Sequence, residues 1–459
     1  MASDGVWRMP ESVMRTKTFR TYDQDTLPLM PPSIRDWVDP DGLPAFIDAL
    51  VSELDLGPFL AAHDEPRGMP PYHPAMMLKI LLYGYATGVR SSRKLEERLQ
   101  SDVGFMFLAG GAHPDHKTIS EFRRRHLAAL EALFLESLVL CQGAGLVKLG
   151  RVALDGTKLK ADASKHKAMS YGRMDERKAA LEAEVRRILE EAEATDRAED
   201  ERYGEDARGD ELPPALRTRE GRIRAIREAK AALEAEARER TGDPDAVPKP
   251  GAQRNFTDPD SRIMRSKPDG WIAGYNAGAV VDEAHQVIVA TTITSDTTDV
   301  RSLPDLVDQV EANTGRRPTR LLADAGYQSD DNLEHLRDKG IEAYIAVRRD
   351  KHSSTPPPAP RGRIPKDLSH RGRMARKLRT KKGRDHYGRR KVVVEPVFGQ
   401  IKEAMGFRRF SLRGKDKVTA EWYLVCAVHN LGKLFRSGQA GRVMDGWDPS
   451  GGRNALGWA

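Results

Sequence analysis

Three carboxylates in this sequence stand where a carboxylate is costly. Asp155 follows the apolar run Val152-Ala153-Leu154, and Asp324 ends Leu321-Leu322-Ala323 before Ala325-Gly326-Tyr327. Glu395 lies in Val394-Glu395-Pro396-Val397-Phe398-Gly399, at the expected start of a helix. An acid beside buried apolar residues loses hydration, and a bound cation offsets that loss. Three hard oxygen donors suit Mg²⁺ or Mn²⁺, which retain waters and leave positions open for phosphate. Two such ions, about 3.5–4 Å apart, serve an in-line displacement by acting on the attacking and leaving oxygens. Each acid alone has a simpler reading: Asp155-Gly156 as a turn, Asp324 as a helix N-cap, Glu395 as a surface residue. Their order, with a basic block just before the third, favours a shared site.

That block is the second signal. The 459 residues carry 75 Lys plus Arg and 68 Asp plus Glu, a formal charge of +7. Arg348 to Lys391 holds 17 Lys/Arg against 3 Asp, a balance of +14, so the remainder carries 7 − 14 = −7. A basic block in a mildly acidic chain reads as a polyanion contact, nucleic acid being the commonest, or as a solvated loop. With Pro356 to Pro360 stopping it from joining the preceding strand, the block is expected to be mobile until it orders along DNA.

Composition excludes several other classes. Hydrophobic residues make up 39% and charged residues 31% of the chain. No stretch approaches the roughly 18 consecutive apolar residues of a membrane helix, and the N-terminus lacks a signal-peptide core, so a cytosolic location is expected. Cys141 and Cys426, the only two cysteines, sit in apolar helical patterns and read as buried thiols. Neither a disulfide framework nor a Cys-based zinc site is available.

The elements that must position the acids follow from periodicity. Residues 1–65 are Pro-punctuated and read as irregular. Residues 66–149 form short helices, one opening at His73-Pro74. Another opens at a Thr118/Glu121 capping box and carries Arg123 and Arg124, in the manner of a helix-turn-helix module. A strand over 150–160 carries Asp155. Residues 171–249 read as an inserted helical hairpin, with stripes at Leu181, Val185, Ile188, Leu189 and at Ile223, Ile226, Leu233. Strands follow over 271–281 and 286–294, a helix over 301–314, a strand over 320–323, a helix over 330–339 and a strand over 343–347. Helices near Glu395 and over Leu424 to Phe435 complete 150–435, and 436–459 reads as a flexible tail. Without the insert, this order gives an α/β domain of ribonuclease-H-like type, in which the strands bearing Asp155 and Asp324 are neighbours.

Other candidates are weaker. Asp162, Asp296 and Asp299 are spare carboxylates near the strands. His113, His116 and His126 lack the paired spacing of structural zinc sites. Trp271 could stack on an extruded base, but a strand tryptophan is more often core.

With these residues in view, the chain resembles the DDE transposases of bacterial insertion sequences, in the IS-four/IS-five group, over about residues 60 to 435. Leu154-Asp155-Gly156-Thr157-Lys158 is similar to the first acid motif and Ala323-Asp324-Ala325-Gly326-Tyr327 to the second. Val394-Glu395-Pro396-Val397-Phe398-Gly399 is similar to the third. His73-Pro74-Ala75-Met76-Met77-Leu78-Lys79 and Thr118-Ile119-Ser120-Glu121-Phe122-Arg123 resemble the group's InsH-type helical domain. The resemblance implies that Asp155, Asp324 and Glu395 are catalytic and hold two Mg²⁺ or Mn²⁺ ions. It implies DNA contacts at Tyr387 and Lys402. For the basic position between them, Arg390 fits the spacing from Tyr387 and Lys391 the spacing to Glu395, so both are carried forward with Arg123 and Arg124. It further implies double-stranded DNA partners (transposon ends and target), a homodimer or higher assembly that pairs two ends, and work at the nucleoid. A site-specific DNA-binding regulator or domesticated nuclease with the same fold is the alternative, and an intact acid set argues against an idle site.

Overall fold

The computed structural model describes residues 33–62, 70–174, 219–266, 268–347, 358–365 and 367–441. Its centre is a sheet whose middle strands are apolar on both faces. β1 (Arg151–Lys160) pairs antiparallel with β5 (Gly270–Asp282), and β5 pairs antiparallel with β4 (Arg262–Ser266) and β6 (Ile288–Thr294). On its other edge β1 pairs in parallel with β7 (Arg320–Ala323), which pairs in parallel with β8 (Glu342–Ile345). From Ile272 onward every residue of β5 is buried, because helices cover both faces of the sheet. Close approach of β1 requires a glycine at position 274. A Cβ there would lie 2.4 Å from the Leu159 carbonyl oxygen.

The helix Leu303–Thr314 packs on β6, as does the long helix Lys415–Ser437. Asn430 on that long helix accepts from the Ile288 N–H and donates to its carbonyl, both at 2.9 Å. Backbone groups at the edge of the sheet are thereby satisfied. The helix Lys381–Gly399 lies across β1, β5, β7 and β8. A short pair, β2 (Ala168–Ser170) and β3 (Gln253–Asn255), carries the insert. There Ile226 and Leu233 of the helix Arg219–Thr241 pack with Met169, Tyr171 and Phe256 in a satellite core. The first half of the expected hairpin lies outside the described residues, as does the tail from 442 on.

Several sequence expectations are corrected. Residues 33–62 are not irregular. They hold a 3₁₀ turn at Ile34–Trp37 and helices at Leu43–Glu53 and Gly57–Leu60, with prolines near the helix starts, where the missing N–H costs nothing. Phe46, Ile47, Leu50 and Val51 then reach the main core. Asp115, rather than Thr118, caps the helix His116–Arg125, accepting from the Thr118 N–H at 2.7 Å. A carboxylate just ahead of the first turn also suits the helix dipole.

The later part of the basic block is helical, at His370–Leu378 and from Lys381 onward, while its described residues 358–365 and 367–369 are not. Its side chains tie it down. Arg371 donates to the Val347 carbonyl, Lys377 to that of Ala343, Arg376 to that of Arg361 and Arg379 to that of Pro358, at 2.9–3.0 Å. Residues 348–357 and 366, with the first two residues of the proline-rich stretch, lie outside the described residues.

The N-terminal helices share one apolar core with the sheet. The helix Leu127–Gly143 packs along Lys415–Ser437, with Phe134 edge-on to Tyr423 at 5.4 Å. A buried polar chain crosses the same junction. Glu421 accepts from the Tyr85 hydroxyl at 2.9 Å and from the Ser411 and Leu412 N–H groups at 2.8 and 3.2 Å. Arg123 donates to the Tyr85 hydroxyl at 3.4 Å, the Arg90 carbonyl at 3.2 Å and the Ser92 hydroxyl at 2.5 Å. Arg123, expected on DNA, is therefore 5% exposed and committed inside the protein.

Removing one member of a buried charged network strands the rest, at a cost of about 3–5 kcal/mol. Arg123→Ala is expected to lower unfolding free energy by about that amount in a urea melt. Arg124→Ala, at the exposed neighbouring position, should change it by less than about 0.5 kcal/mol. Equal melts for the two variants would remove Arg123 from the network.

Candidate active site

The parallel register of β1 and β7 sets Leu154 beside Ala323, so Asp155 and Asp324 are the next residue on each of two neighbouring strands. Asp324 turns the chain into the 3₁₀ turn Ala325–Tyr327 by accepting from the Gly326 N–H at 2.7 Å. Asp155 accepts from the Gly156 N–H at 2.9 Å. Burial, reinforced by the nearby Asp324 charge, holds the Asp155 carboxyl above its usual range despite the opposing pull of Arg390. The Asp324 charge disfavours that of Asp155, so the site calls for a cation.

The helix Lys381–Gly399 supplies one. Arg390 is 8% exposed, and its Nη1 donates to Asp155 Oδ2 at 2.6 Å. Its Nη2 lies 3.8 Å from Glu395 Oε1. The two candidates for the basic position thus separate, Arg390 turning inward and Lys391 lying exposed. Tyr387, one turn earlier, sits near Arg390 and both aspartates, and burial raises its hydroxyl.

Glu395 is in the last turns of this helix, not at its start. Pro396 leaves the Val392 carbonyl without its intrahelical donor, a loss that normally breaks a helix. Here the Gln286 side-chain amide donates to that carbonyl at 3.0 Å, so the helix runs on. It then widens into a π turn at Gln400–Ala404, where the Met405 N–H reaches the Gln400 carbonyl at 3.0 Å. Lys402, on the π turn, donates to Thr157 Oγ1 at 2.5 Å and the Lys158 carbonyl at 3.4 Å, two and three residues beyond Asp155 on β1. Burial lowers the Lys402 pKa.

The expected residues thus divide. Asp155, Asp324, Tyr387, Arg390, Glu395 and Lys402 gather around the middle of β1 and the end of β7, while Arg123, Arg124 and Lys391 stand elsewhere or face outward. Among the described residues no three Asp, Glu, His or Cys side chains converge closely enough to hold an ion as they stand, and the Arg390 guanidinium lies against Asp155 instead. The donor set still fits a hard divalent ion, since the Asp155–Asp324 pair attracts a cation and Glu395 approaches the same guanidinium.

Other candidates resolve into structure. Asp162 is paired with Arg413 at 2.7 Å. His116 pairs with Glu96 at 2.7 Å, His126 is buried against Phe59 and Phe122, and His113 is exposed. Trp271 is 59% exposed rather than core. It lines an open groove of about 1100 Å³ with Arg240, Arg262, Arg301 and Asp296. Among the described residues no single helix is long and apolar enough to cross a membrane.

Comparison with known proteins agrees with this geometry. Residues 246–431 match the family described as Transposase DDE domain, a span holding Asp324 and Glu395, with Asp155 ahead of it. Residues 32–125 match a second, described as Transposase domain (DUF772). A curated protein from Burkholderia cepacia, named putative transposase for insertion sequence element IS402, is 35% identical over 82 residues, 16% of this chain. The match spans 39% of that relative's length. No solved structure matches the chain. The matches to these two transposase domains and to the IS402 relative together support a DDE transposase of an insertion sequence.

Proposed function

We propose that the protein binds the terminal inverted repeats of an insertion sequence, cuts a strand there to free a 3′-hydroxyl, and joins that hydroxyl to target DNA. The observation that carries this reading is the pairing of Asp155 with Asp324 across neighbouring parallel strands, with a basic helix laid over them. The sheet order β6–β5–β1–β7–β8 supports a ribonuclease-H-like catalytic domain. In this reading Asp155, Asp324 and Glu395 hold divalent ions, Mg²⁺ or Mn²⁺ and two in number. When bound, such ions activate the attacking oxygen and stabilise the leaving one.

The chain's own residues do the rest. Asp155 within β1 and Asp324 just past β7 fix the site on the sheet, a more rigid place than a loop. Arg390 offsets their charge in the free protein and is placed to meet a phosphate once Asp155 has another partner. Tyr387 and Lys402 flank the same groove. Lys391 and the outward cations of the helix hold the DNA backbone, as does Arg124 on the N-terminal helices, which form a DNA-binding module rigidly joined to the catalytic core. Two copies pair the two transposon ends at the nucleoid.

Two outcomes test the proposal. Asp155→Asn, Asp324→Asn and Glu395→Gln should each cut Mg²⁺-dependent cleavage of a transposon-end duplex by about 10³-fold, some 4 kcal/mol, while the duplex is still bound. Near-normal cleavage by any one of them removes that residue from the site.

The second concerns the helix. Lys381, Lys382, Arg384 and Arg389 are exposed on it, and each phosphate neutralised adds about 0.9 to the magnitude of the log–log salt slope. Changing all four to Gln should flatten that slope by up to about 3.6 units. Affinity for specific and random duplexes should fall alike, because phosphates carry no sequence. An unchanged slope would assign the helix a purely structural part.

A further inference from the structure

The acid pair has a neighbour that the family reading leaves without a role. Asp299 follows β6 and precedes the helix Leu303–Thr314, with its side chain 24% exposed. The Asn276 amide donates to its Oδ1. Lys158 Nζ lies 3.6 Å from the same oxygen and donates to the Thr297 carbonyl at 3.3 Å.

Two glycines show how closely Asp299 approaches the paired acids. Gly156 follows Asp155. Outside the adjoining residues, the three atoms nearest to where a Cβ on Gly156 would sit are all oxygens. They are Asp299 Oδ1 at 2.9 Å, Asn276 Oδ1 at 3.1 Å and the Tyr327 hydroxyl at 3.3 Å. At Gly326, two residues beyond Asp324, a Cβ would lie 2.9 Å from Asp324 Oδ1 and 3.4 Å from Asp299 Oδ2. One carboxylate therefore approaches both the residue after Asp155 on β1 and the turn after Asp324.

Two of these oxygens are orphaned. The Tyr327 hydroxyl and Asn276 Oδ1 are buried and make no hydrogen bond among the described residues, on side chains of residues 1% and 5% exposed. A buried polar atom without a partner calls for a missing donor or ion. Three oxygens converging beside two further carboxylates make a negative, oxygen-rich cradle, and only glycine at 156 leaves it open.

We propose that Asp299 is a fourth carboxylate of the metal site, holding a divalent cation on the Gly156–Gly326 side together with Asp155 and Asp324. Tyr327 and Asn276 bind that ion's water shell, which Mg²⁺ and Mn²⁺ give up reluctantly. The inference rests on Asp155 and Asp324 being metal ligands.

The test is Mn²⁺ binding to the full chain without DNA, read by the electron paramagnetic resonance of the free ion, alongside the Mn²⁺-dependent rise in melting temperature. Asp299→Asn should weaken Mn²⁺ binding at least about tenfold or remove one bound equivalent, and the rise in melting temperature should shrink with it. Asp155→Asn is the reference. If Asp155→Asn weakens binding while Asp299→Asn binds like the unmodified chain, Asp299 is not a ligand and the three-acid site stands. If neither variant changes binding, both readings fall. Should Asp299→Asn show no cooperative melt, Tyr327→Phe decides, since it keeps the ring and removes only the hydroxyl. Binding weakened severalfold supports the cradle, and unchanged binding overturns it.

Discussion

Two like charges on neighbouring strands, Asp155 in the middle of β1 and Asp324 just past the end of β7, are the constraint to which the rest of the site answers. The parallel pairing of β1 and β7 is fixed by apolar residues, Val152 to Leu154 against Leu321 to Ala323, and it carries Asp155 and Asp324 into each other's field. A sheet cannot relax this by sliding, because a one-residue slip would turn every buried side chain to the opposite face. The repulsion must be met by positive charge. In the free protein that charge is Arg390, on a helix that also runs on past Pro396, where Gln286 satisfies the freed carbonyl.

What was legible in the sequence is what local pattern encodes. The runs ending at Asp155 and Asp324 read directly as strands, and the element order gave the neighbouring relation of the two. The course of the Glu395 helix was not legible, since a proline normally marks a boundary and the compensating amide comes from a residue 106 positions away in sequence. Arg123 failed for a related reason. Its cluster of arginines reads as a solvated basic face, and only the tertiary packing of Glu421 and Tyr85 against it makes one of them internal. Asp299 lacks any strand or helix motif of its own, so its approach to Gly156 and Gly326 is visible only in three dimensions.

The same long-range packing joins the N-terminal helices to the catalytic sheet. Glu421 binds the backbone at Ser411 and Leu412, just after the π turn region that carries Lys402, and its other oxygen holds Tyr85 of the N-terminal helices. Arg90 adds to this by donating to the carbonyls of Gly406 and Arg409 at 2.6 and 3.1 Å. The surface of those helices is therefore held at a fixed distance from the acids. A flexible linker would have to lose that freedom on binding.

Order in the basic block follows the same logic. Disorder would let its cations separate, and helices force them together, so the helical state needs compensation. Four side chains supply part of it by donating to carbonyls of the loops and of β8. Those contacts leave the charge intact, because a carbonyl oxygen is neutral. The described helices of the block thus keep most of their positive charge, and their ordering entropy is met on folding. A preordered basic helix whose inner face holds Arg390 against Asp155 also couples the two events: whatever draws the helix cations toward phosphate acts on the same rigid element that fills the acid pair.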